Sequence, residues 1–192
     1  MKNVLLFVAL LGGASAILNG QEKLTADNSK TTLSWIGEKV TGQHAGTVKL
    51  QSGWINWQDN KILSGEFLID MKTIIDADSN PKLMGHLKSD DFFGVEKFPV
   101  ARLAITGSTA FDKGSAVVKG TLTIKGITNP IEFKTLTQKK DDGTWFYANI
   151  VVDRTKFGVR YGSGSFFDNL GDKAIYDEFS LKVALFVKKQ AD

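Results

Sequence analysis

The sequence predicts an all-β protein, an eight-stranded antiparallel barrel with one principal inserted helix near residues 80–91. Three observations carry this prediction. From Thr31 onward apolar and polar residues alternate with period two, the links between the alternating runs are short and rich in turn residues, and only one stretch opens as a helix.

The first segment is of a different kind. Lys2, the apolar run 4–11, Gly12, Gly13 and the small residues Ala14, Ser15 and Ala16 read as a secretory signal peptide over residues 1–16, with cleavage after Ala16. Its apolar core is too short to span a bilayer, and no cysteine follows to take a lipid anchor. Residues 17–192 are therefore expected as one exported domain with no membrane span. A chain of this size buries about two thirds of its unfolded surface in one core. With no cysteine at all, that core must supply the stability that disulfides give many exported proteins.

The strands follow in order. Leu33 and Trp35 open the pattern, then Val48 with Leu50, Ile55 with Trp57, and Leu63, Phe67, Ile69 and Met71 against polar Ser64, Glu66 and Asp70. Beyond the helix come Ala101, Leu103 and Ile105, then Val118, Leu122 and Ile124, then Ile131 and Phe133, and last Phe179, Leu181, Val183, Leu185 and Val187. The run 145–152 is apolar on both faces, which fits either a central strand covered on its outer side or a subunit contact. Turns are expected at Ser52–Gly53, Asp59–Asn60, Lys113–Gly114, Asn129–Pro130 and residues 141–143.

For the helix, Asn80 caps, Pro81 takes the first position where its missing N–H costs nothing, and Gly94 closes. About a dozen residues result, with Leu83, Met84 and Leu87 on one face and His86 and Asp90 flanking it on a polar edge. A barrel of eight strands has room for its own side chains or for one small ligand, so the pattern permits a cavity without requiring it.

The formal charge is +3, and the lysines lie among acidic residues with no basic block, so nucleic acid is not expected as a partner. Catalytic constellations are not found. Ser163 and Ser165 lack the spacing of a nucleophile elbow and read as a flexible turn, and neither a phosphate-cradling loop nor a dinucleotide fingerprint occurs. A metal site is not expected, since no cluster of three or four ligands at suitable spacing is present, and no cofactor is implied. The protein is read as a non-enzyme.

Several motifs stand in a specific order. Residues 35–46 read Trp-Ile-Gly-Glu-Lys-Val-Thr-Gly-Gln-His-Ala-Gly and residues 65–74 read Gly-Glu-Phe-Leu-Ile-Asp-Met-Lys-Thr-Ile. Residues 85–93 give Gly-His-Leu-Lys-Ser-Asp-Asp-Phe-Phe, followed by Lys-Phe-Pro at 97–99; Gly-Thr-Leu-Thr-Ile-Lys-Gly-Ile-Thr-Asn-Pro spans 120–130; Asp-Arg-Thr-Lys-Phe-Gly-Val spans 153–159. In this order they resemble the YceI family over nearly the whole exported chain. The resemblance implies a lipocalin-like extended barrel, periplasmic and often a homodimer, whose interior holds a polyisoprenoid or other long-chain, fatty amphiphile. Gln43 and the glycine-rich stretch 161–173 depart from the family's pattern, which points to a pocket mouth particular to this chain.

Candidate ligand contacts follow. Trp35, Phe67 and Ile69 are inward apolar residues; a pocket wall and a dry core look alike in sequence. His44 and His86, the two histidines of the chain, both fall inside the family motifs and are read either as hydrogen-bond partners of a polar head at one barrel end or as satisfied structural residues. Asp153 could form an Asx turn or pair with the adjoining Arg154, and Arg154 either forks onto an anionic head or closes the barrel end through that pair. The function expected is a periplasmic carrier of a long-chain isoprenoid or related lipid. The alternative is a structural barrel filled by its own side chains.

Overall fold

The computed structural model describes residues 20–140 and 142–189; the expected signal peptide lies outside them. Nine strands form, β1 (Glu22–Ala26), β2 (Thr32–Lys39), β3 (Gly42–Gln58), β4 (Lys61–Asp76), β5 (Val100–Ser108), β6 (Ser115–Ile124), β7 (Ile127–Lys140), β8 (Gly143–Asp153) and β9 (Ile175–Lys189), with one α-helix, α1 (Pro81–Lys88), between β4 and β5. Every pairing is antiparallel. The order β3-β2-β9-β8-β7-β6-β5-β4 closes on itself through β3 and β4, giving a barrel of eight staves.

The ninth strand does not widen the barrel, because β1 and β2 share one stave. β2 pairs with the first part of β3 and with β9 up to Ala184; β1 pairs with Trp54 to Trp57 of β3 and with Val187 to Lys189. A loop centred on Asp27 joins the two, its carboxylate accepting from the Ser29 amide and hydroxyl and from Lys188.

Two expected turns are strand instead. Ser52 and Gly53 lie inside the continuous β3, past a register slip between Leu50 and Ser52, and Gly53 is small because its backbone runs under the Phe67 ring, where a Cβ would collide. Asn129 and Pro130 lie inside β7, and the real hairpin turn is Lys125–Gly126, both with positive φ. Positive φ at two successive residues twists a two-residue turn to match its strands, and Asp59–Asn60 and Lys113–Gly114 repeat the geometry as expected. Pro130 is tolerated because β7 meets β8 only from Thr135 onward, so this part has a strand on one side alone. The run 145–152 is a central stave, but its outer face is uncovered among the described residues, with Tyr147 and Val151 exposed.

α1 is shorter than the dozen residues expected. Asn80 caps it through the amides of Lys82 and Leu83, but Ser89 ends it, its amide and hydroxyl both donating to the His86 carbonyl. Gly94, φ 57°, closes the following turn by donating to the Ser89 carbonyl. Ending early lets the chain fold back, burying Phe92, Phe93 and Val95, which a continuing helix would carry away from the barrel. Among the described residues no helix is long and apolar enough to cross a membrane.

Candidate ligand cavity

The inward positions of the eight staves do not fill the barrel. They enclose a cavity of about 190 Å³ lined by side chains from β2 through β9, by Leu87 of α1 and by Phe92 and Phe93. The lining runs along β9 from Ile175 to Leu185, about 30 Å of strand at 3.3 Å per residue. One end is shut by aromatic rings, Trp57 and Phe111 with centroids 5.2 Å apart and Phe146 within 5.9 Å of both. At the other end the lining includes two exposed residues, Tyr176 and Glu178, which mark the mouth. There the register between β2 and β9 slips between Gly37 and Lys39, β9 supplying more residues than β2, and the wall bulges open.

Of the residues predicted from sequence, Trp35, Phe67, Ile69 and Arg154 line this cavity. Trp35 directs its indole N–H to the Ile75 carbonyl at 3.2 Å, so its one polar group is satisfied in the wall and the ring is left as apolar surface. Phe67 and Ile69 point inward from β4 at two-residue spacing.

Arg154 is 3 % exposed, and four of its five guanidinium N–H groups are hydrogen-bonded. Nε donates to the Tyr176 carbonyl (3.0 Å), Nη1 to Val159 (2.8 Å) and Tyr161 (2.9 Å), and Nη2 to Ile175 (3.0 Å), while Asp177 stands 3.6 Å from Nη2. Its expected pairing with Asp153 does not form; Asp153 caps the short 3-10 turn Arg154–Phe157 through the Thr155 amide and hydroxyl. Arg154 therefore clamps the bulged part of β9 to the chain at 159–161, and its fork has no free edge for an anionic head. Burial pulls its pKa below the ordinary value and Asp177 opposes that pull. On Asp177 burial acts upward, but the Ser163 and Ser165 hydroxyls and the Arg154 charge outweigh it and hold the carboxyl below its usual range.

Neither histidine lines the cavity. His44 pairs with Gly37 across β2 and β3, its Nδ1 4.0 Å from Asp76, a carboxylate only 2 % exposed whose Oδ2 accepts from the Asn80 amide. His86 is not on a polar edge; its ring lies 4.3 Å from that of Tyr161 and 5.4 Å from Phe92, and its Nε2 is buried without a partner. Asp90, expected beside it, pairs with Lys97. Through Gly37 and Tyr161 both histidines belong to the mouth end, outside the wall. Ser163 is fully buried, its carbonyl accepting from the Phe166 and Phe167 amides, so this part of the glycine-rich stretch is a packed turn that leaves those two phenyl rings exposed.

The sequence reading missed Thr135. It is 4 % exposed, lines the cavity, and has no hydrogen-bond partner for Oγ1. Period-two spacing from Ile131 and Phe133 was the available signal, since the next inward position of β7 is a threonine.

The profile of the YceI-like domain matches residues 24–186. The chain belongs to the YceI family. A UPF0312 protein of Pseudomonas putida (strain W619) is 27% identical over 166 residues, 80% of this chain and 86% of that protein. A UPF0312 protein of Shewanella denitrificans is 26% identical over 118 residues, 58% of this chain and 62% of its own. The crystal structure of Burkholderia cenocepacia BcnA superposes with a TM-score of 0.72 at 20% identity, over 85% of this chain and 99% of that one. A domain from Saccharophagus degradans described as polyisoprenoid-binding gives a TM-score of 0.67 at 14% identity, over 89% of this chain and all of its own. At such identities these structures establish the fold, and the YceI barrel is the architecture found here.

Proposed function

We propose that the protein is a periplasmic carrier that holds a long-chain isoprenoid or related amphiphilic lipid inside the barrel. The observation that carries this reading is the apolar cavity of about 190 Å³, shut by aromatic rings at one end and open beside Tyr176 and Glu178 at the other. An enclosed apolar cavity of about 150 Å³ stays dry and admits hydrocarbon, and this wall, lined almost wholly by apolar side chains, likewise offers water few polar partners. Each methylene transferred into it contributes about 0.8 kcal/mol, enough for a modest chain to bind without a strong polar contact. The Saccharophagus degradans domain, with the same fold, is described as polyisoprenoid-binding, and the signal-like start supports export.

Trp35, Phe67 and Ile69 are assigned to contacts with the ligand chain, and Arg154 to the wall and the clamp. His44 and His86 could meet only a group that protrudes beyond the mouth. Mass spectrometry of organic extracts from natively purified protein tests the proposal. One recurrent lipid species in near-stoichiometric amount is expected; repeatedly empty extracts would favour the structural barrel with no cargo.

A further inference from the structure

Resting on the carrier reading, we infer that the mouth of the barrel docks on a zwitterionic bilayer surface through Tyr161, Phe166, Phe167 and Tyr176, so that cargo passes between membrane and cavity without crossing water. All four side chains are exposed, and Phe166 and Phe167 are the only exposed phenylalanines among the described residues. Tyr176 lines the cavity where it opens. The backbone ties the others to that place. The Tyr161 and Tyr176 carbonyls accept from one guanidinium, that of Arg154; the Ile175 amide donates to the Gly162 carbonyl at 2.7 Å; and the Ser165 hydroxyl donates to Asp177 at 2.6 Å. Val40, also exposed, joins the rim through its amide, which donates to the Ala174 carbonyl.

The exposure is built in. The buried Ser163 holds the Phe166 and Phe167 amides on its carbonyl, so the turn is anchored inward while its rings stay outside. Rings gathered in this way mark a contact surface. The charges among them select the contact. Of the exposed ionisable residues at 160–178, Asp168, Asp172 and Glu178 outnumber Arg160 and Lys173, which disfavours an anionic partner and sets acid against acid if a second copy is laid rim to rim. A zwitterionic bilayer carries no net charge to oppose them and takes aromatic rings at its headgroup boundary, and it is the phase in which an amphiphile suited to this cavity dissolves. The Arg160 guanidinium stands 4.6 Å from the centre of the Phe166 ring, a cation for a lipid phosphate beside a ring for the acyl region.

Co-sedimentation with dioleoylphosphatidylcholine vesicles tests this on the wild type and three double variants: Phe166→Ser with Phe167→Ser, Phe166→Trp with Phe167→Trp, and Leu136→Ser with Val151→Ser. The last removes exposed apolar side chains from the outer face of β7 and β8, away from the rim. The wild type is expected to bind, with no gain when phosphatidylglycerol is mixed in. The rim serine pair should lower the partition coefficient by about tenfold or more, because two phenyl rings return to water; the tryptophan pair and the outer-face pair should bind as the wild type does. A wild type left in the supernatant, whether as a monomer or as a dimer that the rim serine pair dissolves, overturns the docking. So does a rim serine pair that binds normally, an equal loss in the outer-face pair, or binding that rises steeply with phosphatidylglycerol. Uptake of hexadecanol from detergent micelles is read separately. Uptake without vesicle binding removes the docking and leaves the carrier reading standing, whereas vesicle binding without uptake removes the carrier reading and with it the transfer inferred here.

Discussion

At the scale of single residues, Arg154 shows how a motif position can be legible while its role is not. Its side chain meets four backbone carbonyls in a fork that lysine cannot reproduce. Arg154→Lys should therefore cost on the order of 2–4 kcal/mol, read from urea denaturation, with faster amide exchange at 159–161 and 175–176. Sequence offered an anionic head or Asp153 as its partner because both are charges; backbone carbonyls carry no sequence signature, so the actual partners could not be read. Trp35, Phe67 and Ile69 were legible, since alternation alone places them inward. Thr135 was passed over because a lone hydroxyl in a strand looks like any half-buried threonine.

At the scale of elements, local signals were ambiguous wherever one residue type serves two purposes. Glycine marks a turn or a close approach, and at Gly53 it is the second; Gly53→Ala should drive a methyl into the Phe67 ring and lower stability by about 1–3 kcal/mol in chemical denaturation. The register slip beside Ser52 also interrupts alternation, which is why one long strand reads as two. β1 was missed because five residues give too little pattern to separate a strand from a linker. The loop that joins it to β2 has its own pH dependence. The Asp27 carboxyl is lowered to about 2, first by the Ser29 hydroxyl and then by Lys188. The unfolded carboxyl titrates near 3.9, so as pH falls through about 4 the unfolded chain takes up the proton first; the stabilisation is complete above that pH and lost toward about pH 2. The urea midpoint of the wild type should fall across this window, and Asp27→Asn should flatten part of the slope.

For the whole molecule, void and packing separate cleanly in one substitution. Ala148 lines the cavity, and Ala148→Phe should fill part of it: lipid retention is lost while stability stays within about 1 kcal/mol, whereas a barrel already full would lose about 1–3 kcal/mol to overpacking. Phe67→Ala gives the complement, a loss of about 3–5 kcal/mol by denaturation together with altered lipid content. The shared first stave bears on the timing of biogenesis. Leu24 pairs with Lys189 and Thr32 with Ala184, so the earliest strands of the domain must wait for the last before the ring is sealed. Such pairings between distant parts of a chain form slowly. No fragment lacking β9 has an inside, so the cavity exists only once the chain has been made through to its last strand.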